Sequence, residues 1–419
     1  MSGFTDAEWD KVFRMRWTEF GAPARRSKSI VLCSFNIRKL GKVENKSARA
    51  WTFLASFLQR CDLIAIQEVQ DNLDALMHLH DLIGKRSYEF IASDTTGRDA
   101  RQHSGMSERL AFFYRRRTVS RTAIASDISY DRAPVIKNIL GHHDALAEAF
   151  KAKHEADQRT AAEQRALEKT WKDGGKVGPR PLRKDDPFVL PHFLTFIRTP
   201  HAVTFEVAGR DGAKPYAFMA VNAHLLYGDK NKQREERELE FMALLEWLVW
   251  RAKKRDVTYA KDLILLGDLN LDLEAVDERR EWVAKLIRSL NKNVMKSAKD
   301  PRVYFPFVDP HPRIGNGGVF RTNARKDQTY DQIAILSHDK RLPSPGGRHR
   351  AGESGDVFNY GMFDFVELFA RAVHGQPFSS LSAAQKKALY KKFEYDVSDH
   401  MPIWIRLTAP MPGMGDFAN

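Results

Sequence analysis

The sequence has little cysteine and no apolar run long enough to cross a membrane. Its 419 residues include only two cysteines, Cys33 and Cys61. Both lie in or beside apolar, strand-like runs, where they suit buried positions better than a disulfide framework or a metal cage. The densest apolar run, residues 241–250, is too short for a bilayer, and the amino-terminal residues do not have the pattern of a signal peptide. We therefore expect a cytoplasmic protein without a membrane anchor.

Acidic residues are fewer than basic ones. The chain has 67 Lys and Arg against 54 Asp and Glu, a formal net charge of +13. Such a surplus suits a polyanionic partner, such as nucleic acid or an anionic lipid surface, although it also serves general solubility. The basic residues form clusters at 25–28, 115–117, 180–184, 253–255 and 348–350.

Predicted strands and helices alternate along the chain. Residues 29–37 predict a strand, 45–60 a helix and 62–69 a second strand, which is the order expected of a layered α/β enzyme. With 43% hydrophobic and 29% charged residues, the chain is expected to be globular with a sizeable core. Further segments predict strands over 88–93, 193–200, 201–207, 216–228, 263–268, 330–337 and 402–407, and a hairpin over 107–126.

We predict a single large domain over residues 30–410, preceded by a helix and connector over 1–29. Between about 140 and 186 the sequence is rich in helix formers but has only a sparse apolar stripe, followed by glycines and prolines. Because that stripe is too thin to bury a helix face, we interpret the segment as an inserted, largely exposed helical arm. The remaining segments are predicted as long loops over 300–326 and 338–380 and a tail over 411–419.

One short stretch suggests where the functional site lies. The apolar run that starts at residue 263 stops at Gly267 and is followed by Asp268 and Asn270. It reads as a buried strand that opens into a turn, and open α/β sheets place ligand sites at such strand ends. The two polar side chains either point together into a pocket or form an Asp-x-Asn turn that satisfies its own backbone.

Polar residues recur at the ends and entrances of the other predicted strands. Most offer hard oxygen atoms, and two are histidines, a set that favours Mg²⁺ or Mn²⁺ over Zn²⁺. A divalent ion on a phosphoryl oxygen, a carboxylate near water and a histidine are sufficient for phosphoester hydrolysis. Taken singly, each residue also has a structural explanation as a turn residue, an ion-pair partner or a core histidine. The set comprises Asn36, Glu68, Arg109, His224, Asp268, Asn270, Asp331, Asp399 and His400.

Seven segments carry a family resemblance. In chain order they are CSFNIRKLG, DLIAIQEV, SERLAFFYR, VNAHLLYG, LILLGDLNLD, TYDQIAIL and VSDHMPIW. Their order and spacing resemble the motifs of the endonuclease/exonuclease/phosphatase superfamily, over residues 30 to 408. The resemblance implies an α/β four-layer sandwich, in which two packed mixed β-sheets are flanked by helices, with the active site at one edge.

The resemblance also implies a metal site. By motif position Glu68 would be the main ligand for Mg²⁺ or Mn²⁺, with Asn36 beside it and Asp399 sharing the ion. Asp268 and Asn270 would orient or deprotonate the attacking water.

The remaining motif residues are expected to act on the phosphate. His400 would contact the scissile phosphate, and Asp331 would accept its other ring proton. His224 resembles the second active-site histidine of the DNase I-like members, and Arg109 an arginine near the phosphate in the same branch. Arg198, in FIRTP, is a further candidate phosphate contact, although a position at a sheet edge explains it equally well.

These features favour a divalent-metal-dependent phosphodiesterase, most simply a nuclease that acts on DNA or RNA, with DNA favoured over RNA. The alternative within the same chemistry is a phosphatase or phosphodiesterase for a small or lipid phosphate. A more distant alternative is a binding protein that keeps the fold without catalysis, although such a protein would be expected to lack a central group. We predict no protein partner and no membrane association.

Overall fold

The computed structural model describes the chain except for residues 1–2, 97–106, 131, 187–189, 228–230, 255–258, 272–277, 298, 312–313, 315–317, 344–358 and 413–419. The chain divides into two compact units. The larger contains residues 1–128, 197–225 and 244–419, and the smaller contains 129–196 and 226–243. No helix in the described ranges is long and apolar enough to cross a membrane.

Twelve strands of the larger unit form two six-stranded sheets, counted over the described residues. Each sheet is mixed, with one parallel pair at its centre, β1–β2 or β7–β8, among antiparallel neighbours. The first sheet contains, in spatial order, β11 (Tyr360–Met362), β12 (Ile403–Thr408), β1 (Ser29–Leu40), β2 (Leu63–Val69), β4 (Arg109–Arg115) and β3 (Tyr88–Ala92). The second contains β5 (Val119–Asp127), β6 (His201–Val207), β7 (Tyr216–His224), β8 (Leu263–Asp268), β10 (Asp331–Ser337) and β9 (Arg302–Tyr304).

The helices of the larger unit flank these sheets. Several begin at a side-chain cap: Thr5 with Glu8, and Ser382 with Gln385, form capping boxes, the second as predicted from the sequence. The helices are α1 (Asp6–Arg14), α2 (Ala48–Leu58), α3 (Asp74–Ile83), the carboxyl half of α7 (Asn231–Lys253), α8 (Glu278–Ser289), α9 (Phe365–His374) and α10 (Ala383–Asp396). The predicted fold class, two packed mixed sheets flanked by helices, is confirmed.

The side of β8 that faces the core ends in a polar residue. Ile264 and Leu266 belong to the core cluster that fills the space between the sheets. Since alternate residues of a strand share a face, Asp268 continues that row at the strand's end. The apolar face therefore ends in a carboxylate that is only 1% exposed.

A buried amide joins the two sheets beside the site. The Asn222 side chain on β7 donates to the carbonyl oxygens of Ile66 and Ala111, each at 3.0 Å, and accepts a hydrogen bond from Gln67 at 2.6 Å. Those carbonyls lie next to an irregularity in the β2–β4 ladder, where Ile66 pairs with Ala111 but Val69 pairs with Arg109. Two residues of β2 therefore face one of β4, which is a β-bulge.

Two strand predictions are wrong. The segment 107–126 does not form a hairpin, because β4 pairs with β2 and β3 while β5 pairs with β6. The turn at 116–118 instead carries the chain from one sheet to the other. Residues 193–200 form bends rather than a strand: Phe193 and Phe196 both pack on Tyr130, a spacing of three that a strand does not give.

The long loop predicted over 338–380 is also wrong in its second half. Both β11 and α9 lie within it, and the side chain of Asp364 caps α9 by accepting from Glu367 N at 2.9 Å. The amphipathic pattern of α9 buries Phe365, Leu368 and Phe369, a periodicity that the preceding glycines obscured. The loop predicted over 300–326 is largely irregular and contains only the short β9. The predicted tail, 411–419, lies mostly outside the described residues.

The smaller unit is helical. It contains α4 (Arg132–Gly141), α5 (His143–Gln158), α6 (Ala161–Asp173) and the amino half of α7. Its helices carry exposed apolar side chains, among them Leu140 at 70% and Phe150 at 52%. The interpretation of residues 140–186 as an inserted arm remains a prediction, and the compact unit around them is wider than that range.

The Asn222→Ala substitution is expected to destabilise the protein. It removes three buried hydrogen bonds and leaves two carbonyls near the β2 bulge without a donor, so we expect a loss of about 2–4 kcal/mol in the free energy of unfolding. Urea unfolding followed by fluorescence measures this change. Ala217→Ser, at an exposed position of the same strand, is the control. Equal stability of the two variants would contradict the role given to Asn222.

The smaller unit is expected to lose stability as the pH rises from 4.5 to 7. Burial raises the pKa of Glu236 from 4.5 to about 7, and the nearby charge of Glu240 adds to this effect. The unfolded chain releases this proton first, so the folded form loses stability across the window, by about 1.4 kcal/mol per pKa unit. Glu236→Gln should remove the dependence in urea titrations at pH 5 and pH 7. The exposed Glu235→Gln should retain it; the opposite pattern would exclude Glu236 as the source.

Candidate active site

The carboxylate of Asp268 lies at the centre of a buried polar cluster. Its Oδ2 accepts a hydrogen bond from the Asn36 side chain at 3.0 Å and lies 3.5 Å from Nε2 of both His224 and His400. Asn36 comes from β1, His224 from the end of β7, and His400 from the segment before β12. Both sheets therefore contribute to the cluster.

Each histidine is held on its other ring nitrogen by a second carboxylate. His400 Nδ1 lies 3.0 Å from Asp331 Oδ2, and His224 Nδ1 lies 2.8 Å from Glu108 Oε2. The contact with Asp331 was predicted from the sequence, whereas the contact with Glu108 was not. The available signal was an acidic residue directly before the buried strand β4, one position from Arg109. The result is two acid–histidine pairs that converge on one carboxylate.

Charge coupling favours the ionised forms of Asp268 and His400. Burial alone would lower the pKa of His400, but the charges of Asp268 and Asp331 outweigh it and raise that pKa well above its usual value. Burial also raises the pKa of Asp268, yet the charges of His400 and His224 lower it overall. For Asp331, burial prevails and raises the pKa, although His400 opposes this. The arrangement therefore favours an Asp268 carboxylate beside a His400 imidazolium.

The second pair is stabilised by a buried arginine. Burial and the charge of Arg198 lower the pKa of His224, but Glu108 outweighs both and raises it. Burial raises the pKa of Glu108, while His224 and Arg198 lower it overall. Arg198 forms an ion pair with Glu108 and donates to the Leu225 carbonyl at 3.2 Å. With 6% of its surface exposed, Arg198 is placed to hold Glu108, and its phosphate contact remains a prediction.

Irregularities in β2 place the Glu68 carboxylate beside Asn36. Gln67 and Glu68 lie opposite Leu110 in the bulge of β2, and Glu68 has φ +59°, the left-handed region that non-glycine residues rarely adopt. Its carboxylate accepts from the Asn36 side chain at 3.1 Å and from Lys39 N at 2.9 Å. Strained residues of this kind cluster at functional sites.

A serine beside the site ties two site segments together. The Ser398 hydroxyl donates to the Asn36 carbonyl at 2.7 Å and accepts from Arg38 N and His400 N, each at 3.2 Å. This role was not predicted from the sequence, because in the motif VSDHMPIW only Asp399 and His400 were assigned to the site. Next to it, Asp399 Oδ2 lies 3.6 Å from the Arg38 guanidinium. The predicted ligand Asp399 is therefore adjacent in sequence to the cluster but paired with an arginine.

Asn270 forms the Asp-x-Asn turn that was one interpretation of this sequence. Its backbone N–H donates to Asp268 Oδ1 at 3.0 Å, which is the turn, and its side chain donates to the Leu225 carbonyl at 3.0 Å. With φ +50°, its backbone lies in the left-handed region, which asparagine tolerates better than most residues. Asn270 therefore fixes the orientation of the Asp268 carboxylate.

Arg109 is the predicted residue that the described contacts do not connect to the cluster. Its guanidinium donates to the Ser93 carbonyl at 2.8 Å and to Asp94 at 3.1 Å, and lies 3.6 Å from Asp71. About a fifth of its side chain is exposed, at 21%. A phosphate contact by Arg109 remains a prediction.

Two groups of side chains fit a divalent cation. Beside Glu68, the buried Oδ1 atom of Asn36 has no hydrogen-bond partner, and the buried Oδ1 atom of Asp399 has none either, which suits hard oxygen ligands. Separately, Asp268, Asp331 and His400 offer ligand atoms that all lie within 4.8 Å of one another. The second group is already joined by hydrogen bonding and charge, and the buried Oδ1 atom of Asp331 also has no hydrogen-bond partner. Both groups therefore offer hard oxygen donors.

Sequence comparison finds deoxyribonucleases. No known family profile matches the chain. Deoxyribonuclease gamma of Rattus norvegicus is 32% identical over 98 residues, which are 22% of this chain and 30% of that protein. Deoxyribonuclease-1 of Oryctolagus cuniculus is 34% identical over 96 residues, which are 22% of this chain and 32% of that protein. The matched stretches thus span about a third of the length of these relatives.

Among solved structures, an endonuclease/exonuclease/phosphatase family protein from Bacteroides thetaiotaomicron aligns over 92% of this chain and 96% of its own, with a TM-score of 0.42 and 14% identity. Likeness at this level carries no conclusion about the chemistry of this chain. The sequence matches to deoxyribonucleases, together with the two-sheet architecture, confirm the resemblance to the DNase I-like branch of the endonuclease/exonuclease/phosphatase superfamily.

Proposed function

We propose that this protein is a divalent-metal-dependent phosphodiesterase, most specifically a nuclease that cleaves DNA. The observation that carries the proposal is the Asp268 carboxylate between two imidazoles, each anchored by a further carboxylate. Such a site can accept a proton on one side of a phosphorus atom and donate one on the other. Hydrolysis of a phosphodiester requires both transfers.

In the proposed reaction, water adds to the phosphorus atom as the bond to the leaving oxygen breaks. Asp268, oriented by Asn270, accepts the proton that water releases. His400, which its carboxylate neighbours keep protonated, binds the phosphate and supplies a proton to the leaving oxygen. His224 lies on the other side of Asp268 and adds positive charge toward the developing dianion. Preorganised charge of this kind stabilises phosphoryl-transfer transition states.

We assign the divalent ion, Mg²⁺ or Mn²⁺, to Glu68 and Asn36, with Asp399 as a further ligand. When bound, such an ion polarises the phosphoryl oxygen and offsets its negative charge. The Glu68 carboxylate is held by Asn36 and by the Lys39 amide, so its position is fixed without the ion. This ligand set is the one implied by the family resemblance.

Nucleic acid is the proposed substrate because the matched relatives are deoxyribonucleases and the net charge is +13. The basic clusters are not equally available to bind nucleic acid. Arg115 pairs with Asp62, and Arg183 with Glu168, so parts of two clusters are already neutralised. Arg117 is exposed, and no ion pair engages it in the described residues. Residues 255 and 348–350 lie outside those residues.

Glu68→Gln is expected to weaken metal binding, because it removes the charge of the main ligand. We expect the affinity for Mn²⁺, measured by calorimetry or electron paramagnetic resonance, to fall about tenfold or more. Asp331→Asn should retain Mn²⁺ binding and lose cleavage. Chelation with EDTA should abolish plasmid cleavage by the unaltered protein. If Asp331→Asn loses Mn²⁺ and Glu68→Gln retains it, the ion belongs instead to the Asp268–Asp331–His400 group.

His400→Gln is expected to slow plasmid cleavage by about 10² to 10⁴-fold, since it removes a positioned acid. The loss should be much smaller with bis(4-nitrophenyl) phosphate, because the nitrophenolate leaving group needs no proton. His154→Gln, at an exposed position of α5, is the matched control. An equal loss on both substrates would contradict proton donation by His400, and unchanged plasmid cleavage would exclude His400 from the reaction.

A further inference from the structure

A cavity of about 600 Å³ lies on the larger unit and contains none of the predicted site residues. It is within the roughly 300–1,000 Å³ range of small-molecule sites. Three parts of the chain form its walls: residues 18–26 before β1, residues 311, 314 and 319–326 before β10, and parts of β11 and β12 with the start of α9. The first segment contains Arg26, part of the basic cluster at 25–28 that the proposed function leaves unused.

Aromatic and apolar side chains line most of the interior. Phe20, Tyr360 and Trp404 are each less than 10% exposed, and Phe320 and Met362 complete this lining. Aromatic walls suit a planar ring, because nucleobases stack on aromatic side chains in single-strand binding sites. The interior therefore favours a ligand with an aromatic ring over an aliphatic or purely charged one.

Glycines hold the Trp404 wall in place. A side-chain carbon at Gly361 would lie 3.0 Å from the Trp404 ring, so the indole packs flat over that position. The Trp404 ring nitrogen donates to the Gly21 carbonyl at 2.8 Å. Gly21 itself has φ +84° and approaches the Met362 carbonyl too closely for any side chain. The ring is thus fixed before a ligand arrives.

Two arginines meet at one part of the lining. Burial, and then the positive charge of Arg26, lower the pKa of Arg406 to about 10. Arg406 is 6% exposed and donates to Ser29 Oγ and the Ala24 carbonyl, while its Nε–H is buried without a partner. Arg26 is exposed and makes no ion pair within the described part of the chain. Two like charges on one part of the lining favour an anion.

Two of the three acidic residues of the lining, Asp364 and Glu367, do not neutralise these arginines, and the third, Glu19, is exposed. Asp364 accepts from Lys326 at 2.6 Å and also caps α9, and Glu367 pairs with Arg371 at 2.8 Å. Each of these carboxylates therefore has a cation of its own.

We propose that the cavity is a nucleotide-binding site, with the base between the aromatic walls and the phosphate at Arg26 and Arg406. The ligand is either a free nucleotide or the terminal nucleotide of a nucleic-acid strand. This inference goes beyond phosphodiester cleavage and can be tested by binding alone, in the presence of EDTA.

The site adjoins the segment that positions the catalytic groups. Phe320 and Arg321 line the cavity, and the next residue, Thr322, accepts hydrogen bonds from the Asp331 and Tyr330 amides at 3.1 and 3.0 Å. The Thr322 carbonyl in turn accepts from Met401 N at 2.6 Å. A bound nucleotide would therefore contact the segment that carries Thr322.

Adenosine 5′-monophosphate is the first probe, titrated calorimetrically into the full chain with EDTA present. Arg26→Ala should weaken binding about tenfold, because one charge-assisted hydrogen bond is lost. Lys28→Ala, an exposed member of the same cluster outside the cavity, should leave affinity unchanged, as should His400→Gln in the active site. Adenosine and ribose 5-phosphate should each bind more weakly than the complete nucleotide.

Hydrogen exchange then localises the ligand. Bound AMP should slow exchange in residues 18–26 and 319–330, whereas protection confined to the strands of the active site would overturn the proposal. Absence of binding at millimolar AMP would also overturn it, as would equal affinities of Arg26→Ala and Lys28→Ala. A 5′-phosphorylated oligonucleotide distinguishes a free nucleotide from the terminal nucleotide of a strand. If the oligonucleotide binds more tightly than AMP, and Arg26→Ala abolishes that binding, the ligand is a strand end. If the oligonucleotide binds more weakly than AMP, the ligand is the free nucleotide.

Discussion

The shared charge of Asp268 is the interaction on which the candidate site depends. One carboxylate, 1% exposed, faces two imidazoles at the same 3.5 Å separation. An isolated buried carboxylate would take up a proton, and isolated buried histidines would release theirs. Together, with Glu108 and Asp331 behind the rings, each ionised group stabilises the next. Removing one member therefore changes the protonation of the others as well as deleting a side chain.

The architecture supplies this cluster from both sheets and fixes its geometry with backbone features. The core face of β8 ends in Asp268, while the bulge of β2 places Glu68 beside Asn36 on β1. Asn222 joins the same bulge to the facing sheet through main-chain carbonyls. Residues outside the cluster, such as Asn222, thus help to fix the positions of the residues within it.

Local patterns predicted the strands of the core and most of the cluster, because buried strands that end in polar residues are visible in sequence. Pairing was not visible: the apolar run of β4 and its neighbour β5 read as a hairpin but belong to different sheets. Glu108 was not predicted as a site residue because its role depends on a contact with His224, which is distant in sequence. Ser398 was not predicted because its role likewise depends on a contact with a distant residue, Asn36. The helix α9 was hidden because turn-forming residues surround a short amphipathic segment.

The order of the strands also bears on biosynthesis. Ser398 bonds to Asn36 across 362 residues of chain, and β12 fills the place between β1 and β11. Contacts of such separation form late, since a long loop must close before they contribute. During translation, Asn36, Glu68 and Asp268 are therefore synthesised and can fold before His400 is part of the chain. Until the segment before β12 has been synthesised, Asp268 therefore lacks one of its two imidazole neighbours.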